Sequence, residues 1–493
     1  MDKILIGLDL GTTLAKGLAC DIKGQQLALA SRAIATDRSA LNAAEQDPKE
    51  WTAACVAIMR ELAQQLEERK RYITAISVSS HGPGAVLTDA VDQPLLPCAI
   101  WQDNRCAEDG YSLFAQVGYD WVGHGMPQTG LAARLHWLSR TQPQAMAAAR
   151  HIHDVKGYLL HFLTGSYVTE PSSNGGADQW DAALLTACGI DRSQLDRSLP
   201  STAVAGLLRR ELAQSTGFPS ATPVVCGLND GAAAMLGSGS IQVGQGVVSV
   251  STNGIARIVV DRKLPGRFLY DHSLFCWPYV AGRYVTGGFT KAAGDLVQWF
   301  IDIAYPDLPE AEQLPRFNQE AETSPPGANG VCFYPWLMGR GSPAATEIPA
   351  GCFLGLARHH TRGDCSRAVL EGVAYALRDI GQQFRDMGYA WDKLRLTGGG
   401  MQSPLWRSIV VNVLGVEARR VRTDSLLGAA ILAGVGGGVY DSIESACAAC
   451  VSLVNDPTVL DRQLVATYER LYQAYVRAKP PLDDYLRATK GEQ

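Results

Sequence analysis

The sequence predicts an α/β protein built as two domains of similar design. Three observations carry this. Short aliphatic runs that read as strands alternate with amphipathic helical patterns. The chain has 493 residues, too many for one ordinary core. A strand running into a Gly/Ser/Thr turn occurs near the N-terminus and again at residues 247–254. The expected division is 1–240 and 241–485.

The first element organises the rest. Residues 4–10 and 18–20 are apolar runs too short for helices, so they read as strands joined by the turn Gly11-Thr12-Thr13. Asp9 ends the first strand, where burying a carboxylate is costly unless it has a partner. A hydrated Mg²⁺ is a suitable partner, because it favours one or two carboxylates together with substrate phosphates. Gly11 lets backbone N–H groups approach an anion, Thr12 and Thr13 add hydroxyls, and Lys16 adds positive charge. The motif reads as a phosphate clamp. Its structural alternative is a plain hairpin, with Lys16 a solvated strand residue. No P-loop pattern is present.

Asp47, Pro48 and Glu50 then mark a helix start, and Trp51, Cys55, Ile58, Met59, Leu62 and Leu66 form one apolar face. Residues 73–78 read as a strand leading to Ser79-Ser80-His81-Gly82-Pro83-Gly84. Residues 85–88 read as a second strand, leading to the extended segment Trp101-Gln102-Asp103-Asn104-Arg105. Helices are expected around 131–138 and 154–163, then a polar loop at 170–176. Val224-Val225-Cys226 is a strand, and Asp230 opens a helix of small residues at 232–236. Two roles stand for Asp230, a catalytic base and the helix N-cap. In the second half, Gly294 precedes an amphipathic stretch and residues 364–387 form a long helix. Residues 394–397 run into Gly398-Gly399-Gly400, with a helix after Ser403-Pro404. Gly436-Gly437-Gly438 reads as a helix stop. The last helix is expected over 460–475, with Pro480-Pro481 and the tail frayed.

Composition excludes several classes. A net charge of −5 argues against nucleic acid or an anionic membrane as main partner. No apolar run approaches the roughly 18 residues that span a bilayer. Asp2, Lys3 and Asp9 around the first apolar run are not expected of a signal peptide. Twelve cysteines without a framework suit a reducing, cytoplasmic setting. The lone Cys-x-x-Cys, Cys447 and Cys450, has no second pair nearby and reads as structural.

Taken together and in order, these segments resemble the FGGY family of carbohydrate kinases over nearly the whole chain. The matching stretches are Asp9-Leu10-Gly11-Thr12-Thr13, Glu45 to Trp51, Trp101 to Arg105, Leu163-Thr164-Gly165, Gly227-Leu228-Asn229-Asp230, Gly351 to Leu356 leading to Arg367 through Gly372, and Gly398 to Trp406. The resemblance implies two actin-like, ribonuclease H-like domains with a cleft between them. Sugar would bind mainly to the first, ATP mainly to the second, and the domains would close to exclude water. It implies ATP and Mg²⁺ as cofactors, a small sugar or polyol as partner, and a homodimer.

Under that resemblance Asp230 is the base, and Asp9 is the metal-site carboxylate that orients metal-bound water. Gly11, Thr12, Thr13 and Lys16 contact phosphate. Thr252, Asn253 and Gly254 match the family's second phosphate loop, with Ser251 and Asn253 departing from its usual residues. Gly294, Gly398, Gly399, Gly400, Gln402 and Ser403 are expected to line the nucleotide. Trp101, Asp103 and Arg105 offer the apolar face and paired polar groups a polyol needs, with a structural Asp–Arg pair as the alternative. His81, Gly82 and Pro83 stand where xylulose-phosphorylating members carry Gln-Met-His-Gly. Asn174 and Asn229 complete the expected sugar side. A ketopentose such as xylulose is the first expected acceptor; glycerol, gluconate, ribulose, erythritol and a signalling furanone stay open. So do an ATP-gated sugar sensor and a chaperone-like ATPase.

Overall fold

The computed structural model describes residues 3–119, 130–173, 176–422, 425–456 and 458–490. Two six-stranded mixed sheets fall on either side of residue 240. The first runs Val204–Leu207, Pro223–Asn229, Ile73–Ser80, Ile4–Leu10, Leu14–Cys20, Gln26–Ala33. The second runs Phe275–Pro278, Tyr284–Thr290, Gly254–Val260, Gln245–Val250, Lys393–Thr397, Ala418–Arg420.

Five strands of each sheet share one connectivity. Three neighbouring antiparallel strands, consecutive in the first half and interrupted in the second by the edge strand Phe275–Pro278, are extended by two parallel strands on the side of the first. Each sheet adds one antiparallel edge strand, at opposite ends of the common five. The repeated turn seen in the sequence thus marks a repeated fold unit. Asp47 caps the helix Pro48–Leu66, accepting from Lys49 N–H, and every residue of the predicted apolar face is buried.

Between the sheets lies a helical layer made by Asp230–Gly237 and Ser425–Gly436. Leu426 to Gly434 are all buried. A helix that is apolar all round must be covered on every side, and this one packs on both halves. It touches Leu5, Leu18 and Cys20 of the first sheet, and its Leu427, Ile431 and Leu432 join a core with Val247 and Val259 of the second. The contact is tight. A Cβ at Gly428 would lie 1.9 Å from the Ala233 carbonyl oxygen, and one at Gly7 would lie 2.3 Å from that of Leu426. The linear division at 240 therefore assigns this helix to the second half although it also completes the first.

Two expectations are corrected. The second strand begins at Leu14, not at 18, because it pairs in register with the whole first strand. The expected strand at 85–88 is present as Val86–Thr88 and pairs with His151–His153 outside the main sheet. The last helix spans Arg462–Lys490 and runs through Pro480 and Pro481. Tertiary anchors hold it on both sides of the prolines: Tyr475 stacks on Tyr334 at 4.6 Å, Lys479 pairs with Asp379, and Arg340 meets Asp483 at 2.9 Å. Cys447 and Cys450 are buried in the helix Ile443–Cys450, and Cys450 contacts the Tyr440 hydroxyl.

Candidate active site

A cavity of about 550 Å³ opens between the two sheets. Thr12, His81, Trp101, Ser172, Asn229 and Asp230 line it from the first half. Asn253, Arg257, Phe275, Trp277 and Lys291 line it from the second.

Gly11 N–H closes the first turn on the Leu14 carbonyl at 3.0 Å. Thr12 is fixed from two sides. Its hydroxyl accepts from Trp101 Nε1 at 2.9 Å, and its carbonyl accepts from Gln46 Nε2 at 2.7 Å. Thr13 is exposed. Asp9 is only 6% exposed and accepts from the Ser79 hydroxyl. Lys16 lies opposite Asp9 in the strand register and beneath the turn, off the wall of the large cavity.

Asp230 is not the helix N-cap. Asn229 takes that position, its side-chain oxygen accepting from Ala232 N–H at 2.8 Å. Asn229 is held in turn by Ser172, whose hydroxyl accepts from Asn229 N–H at 2.8 Å and whose carbonyl accepts from Asn229 Nδ2 at 3.0 Å. Ser172 bonds to Glu170, and Glu170 pairs with Lys156; the side chains of that pair are 1% and 0% exposed. This buried chain fixes the cap and lets Asp230 face the cavity, where among the described residues only Gly231 N–H bonds to its carboxylate, at 2.6 Å. Burial, then repulsion from Asp9, raises Asp230 to about 6, against attraction by Arg257. A carboxylate so placed accepts a proton readily and is ionised at neutral pH.

The sugar-side expectations separate. His81 is 1% exposed, lines the cavity with Gly82 and Pro83, and has no hydrogen-bond partner on either ring nitrogen among the described residues. Burial, then the charge of Arg134, pushes its pKa down to about 4, so it meets the cavity as neutral imidazole. Trp101 lines the wall with Gln102 and Asn104. Asp103 and Arg105 do not. They form a pair at 2.7 Å, Glu45 joins Arg105, and Asp103 also accepts from Ala44 N–H. The segment turns there rather than extending, so the two side chains meet each other. Asn229 reaches the wall, yet both ends of its amide are engaged, the oxygen in the cap and the nitrogen on the Ser172 carbonyl. Asn174 lies outside the described residues.

On the other side, three glycine-bearing segments converge. Ala293 N–H and Gly294 N–H donate to the carbonyls of Thr252 and Ser251 at 2.8 and 2.7 Å, and Gly254 N–H donates to the Thr290 hydroxyl at 2.9 Å. Gly398 has φ +93°, and a Cβ there would lie 2.3 Å from the Val250 carbonyl oxygen. Gly399 faces open space, whereas Gly400 packs under Trp406, whose ring a Cβ would meet at 2.6 Å. Gln402 is exposed, and Ser403 caps the helix Pro404–Leu414. Asn253 reaches the cavity wall.

Sequence reasoning missed Ser172, Arg257, Phe275, Trp277 and Lys291. Arg257 alone left a signal, a cation inside the otherwise apolar strand Gly254–Val260. Phe275 and Trp277 stack at 4.0 Å and look like ordinary strand residues.

Two halves of one connectivity, with a raised carboxylate between a hydroxyl-bearing turn and a glycine-lined turn, define a phosphotransferase acting on an alcohol acceptor. The chain belongs to the FGGY family of carbohydrate kinases. Models of that family's N-terminal and C-terminal domains match residues 4–237 and 271–437. The chain is 27% identical over 488 residues to a xylulose kinase of Lactococcus lactis, covering 96% of this chain and 95% of that one. It is 26% identical to a gluconokinase of Bacillus licheniformis, with 90% of each chain covered. The structure of a xylulose kinase from Rhodospirillum rubrum superposes with a TM-score of 0.91 at 25% identity, covering 98% of this chain and all of that one. A gluconate kinase structure from Lactobacillus acidophilus gives 0.88 at 25%, covering 100% and 99%. Family membership makes this chain an ATP-using carbohydrate kinase. No described helix is long and apolar enough to cross a membrane.

Proposed function

We propose that the protein transfers the γ-phosphoryl group of ATP to a primary hydroxyl of a small ketose, polyol or sugar acid, with Asp230 as the base. The observation that carries this is the release of Asp230 from capping by Asn229, which aims a carboxylate of pKa about 6 into the cleft. Xylulose is the acceptor first expected from the sequence.

Asp230 takes the hydroxyl proton while the acceptor oxygen attacks in line. Thr12 and the 252–254 turn supply phosphate donors. Lys291, next in chain to Thr290 at the foot of that turn, supplies positive charge. The Gly398–Gly399 backbone leaves room for the nucleoside. Mg²⁺ fits the donors present. Asp9 lies close enough to Asp230 to raise it, and among the described residues no cluster of three or more His, Cys, Asp or Glu builds a closed cage. Such a site suits an ion that keeps water and phosphate ligands and, when bound, neutralises phosphate oxygens. The cysteines are all free, which supports a reducing cytoplasm.

The test is ADP formation with Mg-ATP across ketoses, polyols and sugar acids, beside Asp230→Asn. One compound should stimulate turnover, and the variant should lose about 10²–10⁴-fold in kcat. ATP binding without stimulation by any acceptor favours the sensor reading. Stimulation that survives in the variant removes Asp230 as the base.

A further inference from the structure

Arg257 is the cleft's unspent charge. Alternation along the strand Gly254–Val260 turns Ile255 and Arg257 to the cavity and Ala256 and Ile258 to the core. The Arg257 guanidinium makes no hydrogen bond or contact ion pair among the described residues, and its Nε is buried without a partner. Asp230 attracts it through space, and burial works against its charge. Arg257 is half-buried; a cation held partly out of water without a contact partner carries a desolvation cost, and an arriving anion offsets it.

Its position separates two possible anions. The register pairs Gly254 with Thr290, Ile255 with Phe289, and Arg257 with Gly287, while Phe275 lies opposite Gly287 on the next strand. Arg257 is thus three residues from the 252–254 turn, roughly 10 Å along the strand at about 3.3 Å per residue. Lys291 stands at the turn end of the same face, already held by Glu347 at 2.5 Å. Arg257 instead borders the first turn of the helix Asp230–Gly237: a Cβ at Gly231 would lie 3.5 Å from its Nη2 and 2.7 Å from the Trp277 ring. One cation serves the phosphate end. The other lies past Asp230, beside the stacked Phe275 and Trp277.

We propose that Arg257 receives a carboxylate carried by the acceptor, so that the substrate is a small sugar acid such as an aldonate rather than a neutral ketose. The proposal rests on the kinase reading above and narrows its acceptor. The planar guanidinium matches a carboxylate in two parallel hydrogen bonds. With the acid end held there, the acceptor's primary hydroxyl meets Asp230. Its oxygen forms the new bond to the γ-phosphorus, and the bond from that phosphorus to the β–γ bridging oxygen breaks. ADP leaves, and the hydroxyl proton passes to Asp230. A neutral ketopentose leaves Arg257 without a contact partner, attracted only through space by Asp230.

Two measurements test this separately from the kinase reading. The first is equilibrium binding of five- and six-carbon aldonates, and of alditols of equal length, to the Asp230→Asn chain by calorimetry, which needs no turnover. An aldonate should bind at least 30-fold more tightly than its alditol. Arg257→Gln added to that chain should erase most of the preference, and Arg257→Lys should restore part of it. The second is steady-state kinetics of Arg257→Gln, in which KM for the aldonate should rise more than KM for ATP. Equal binding of acid and alditol overturns the proposal, and so does an aldonate preference that survives Arg257→Gln. A variant whose loss falls mainly on ATP assigns the anion to the nucleotide and also overturns it. Selective aldonate binding with no phosphorylation of any acceptor would uphold the site and sink the kinase reading instead.

Discussion

Asp230→Asn should make the protein more stable at pH 8 while removing its activity. The Asp230 carboxyl titrates near 3.8 in the unfolded chain and at about 6 in the fold, raised by burial and then by Asp9. Below pH 3.8 both states hold the proton and the group adds no pH dependence. Between 3.8 and 6 the folded state keeps a proton that the unfolded state releases, so stability falls as pH rises. Above 6 the full penalty is present. Two pKa units at about 1.4 kcal/mol each give an upper value of about 3 kcal/mol. Asparagine keeps an oxygen for Gly231 N–H and carries no charge, so it escapes that penalty. The assay is urea unfolding of both proteins at pH 4, 6 and 8, with EDTA and no nucleotide. The variant's advantage should be near zero at pH 4 and reach about 2–3 kcal/mol at pH 8. An advantage that is equal at all three pH values, or a parent more stable at pH 8, refutes the assignment of strain to this carboxylate.

The same ionisation should shape activity: kcat/KM for the acceptor should fall about tenfold for each pH unit below about 6, and a profile flat to pH 5 would show that Asp230 does not limit it. Lys156→Met should cost about 3–5 kcal/mol in urea unfolding, because it strands Glu170 in a site where the pair is 0% and 1% exposed. Adding Glu170→Gln should recover much of that stability, while kcat stays low because Ser172 no longer anchors Asn229; a single variant within 1 kcal/mol of the parent on the order-of-magnitude scale of such pairs would contradict this. Gly398→Ala should raise KM for ATP at least tenfold and cost about 1–3 kcal/mol, since φ +93° and the Val250 carbonyl at 2.3 Å both oppose a Cβ. Unchanged nucleotide affinity would remove that turn from the ATP site.

The sequence by itself determined what is local. The first turn, the Asp47–Pro48 helix start, the strand Pro223–Asn229 running into Asp230, and the meeting of strand with glycine at 398 were all legible, because alternation, caps and turn chemistry act over a few residues. Two similar halves were legible because the same turn chemistry appears twice. Only the tertiary structure decided how charges were spent. Asp103 and Arg105 looked free for a sugar until a turn closed them on each other and on Glu45. Asn229 and Asp230 are neighbours with equal claim to the cap, and Ser172, 57 residues away, settled it for Asn229. The helix Ser425–Gly436 is apolar on every side, but which two surfaces cover it depends on the first strand of the chain and the second sheet together. Arg257 carries no motif at all. Its meaning comes from an alternation that turns it inward and from the absence of any described counter-charge in contact, both properties of packing across hundreds of residues rather than of its neighbours in sequence.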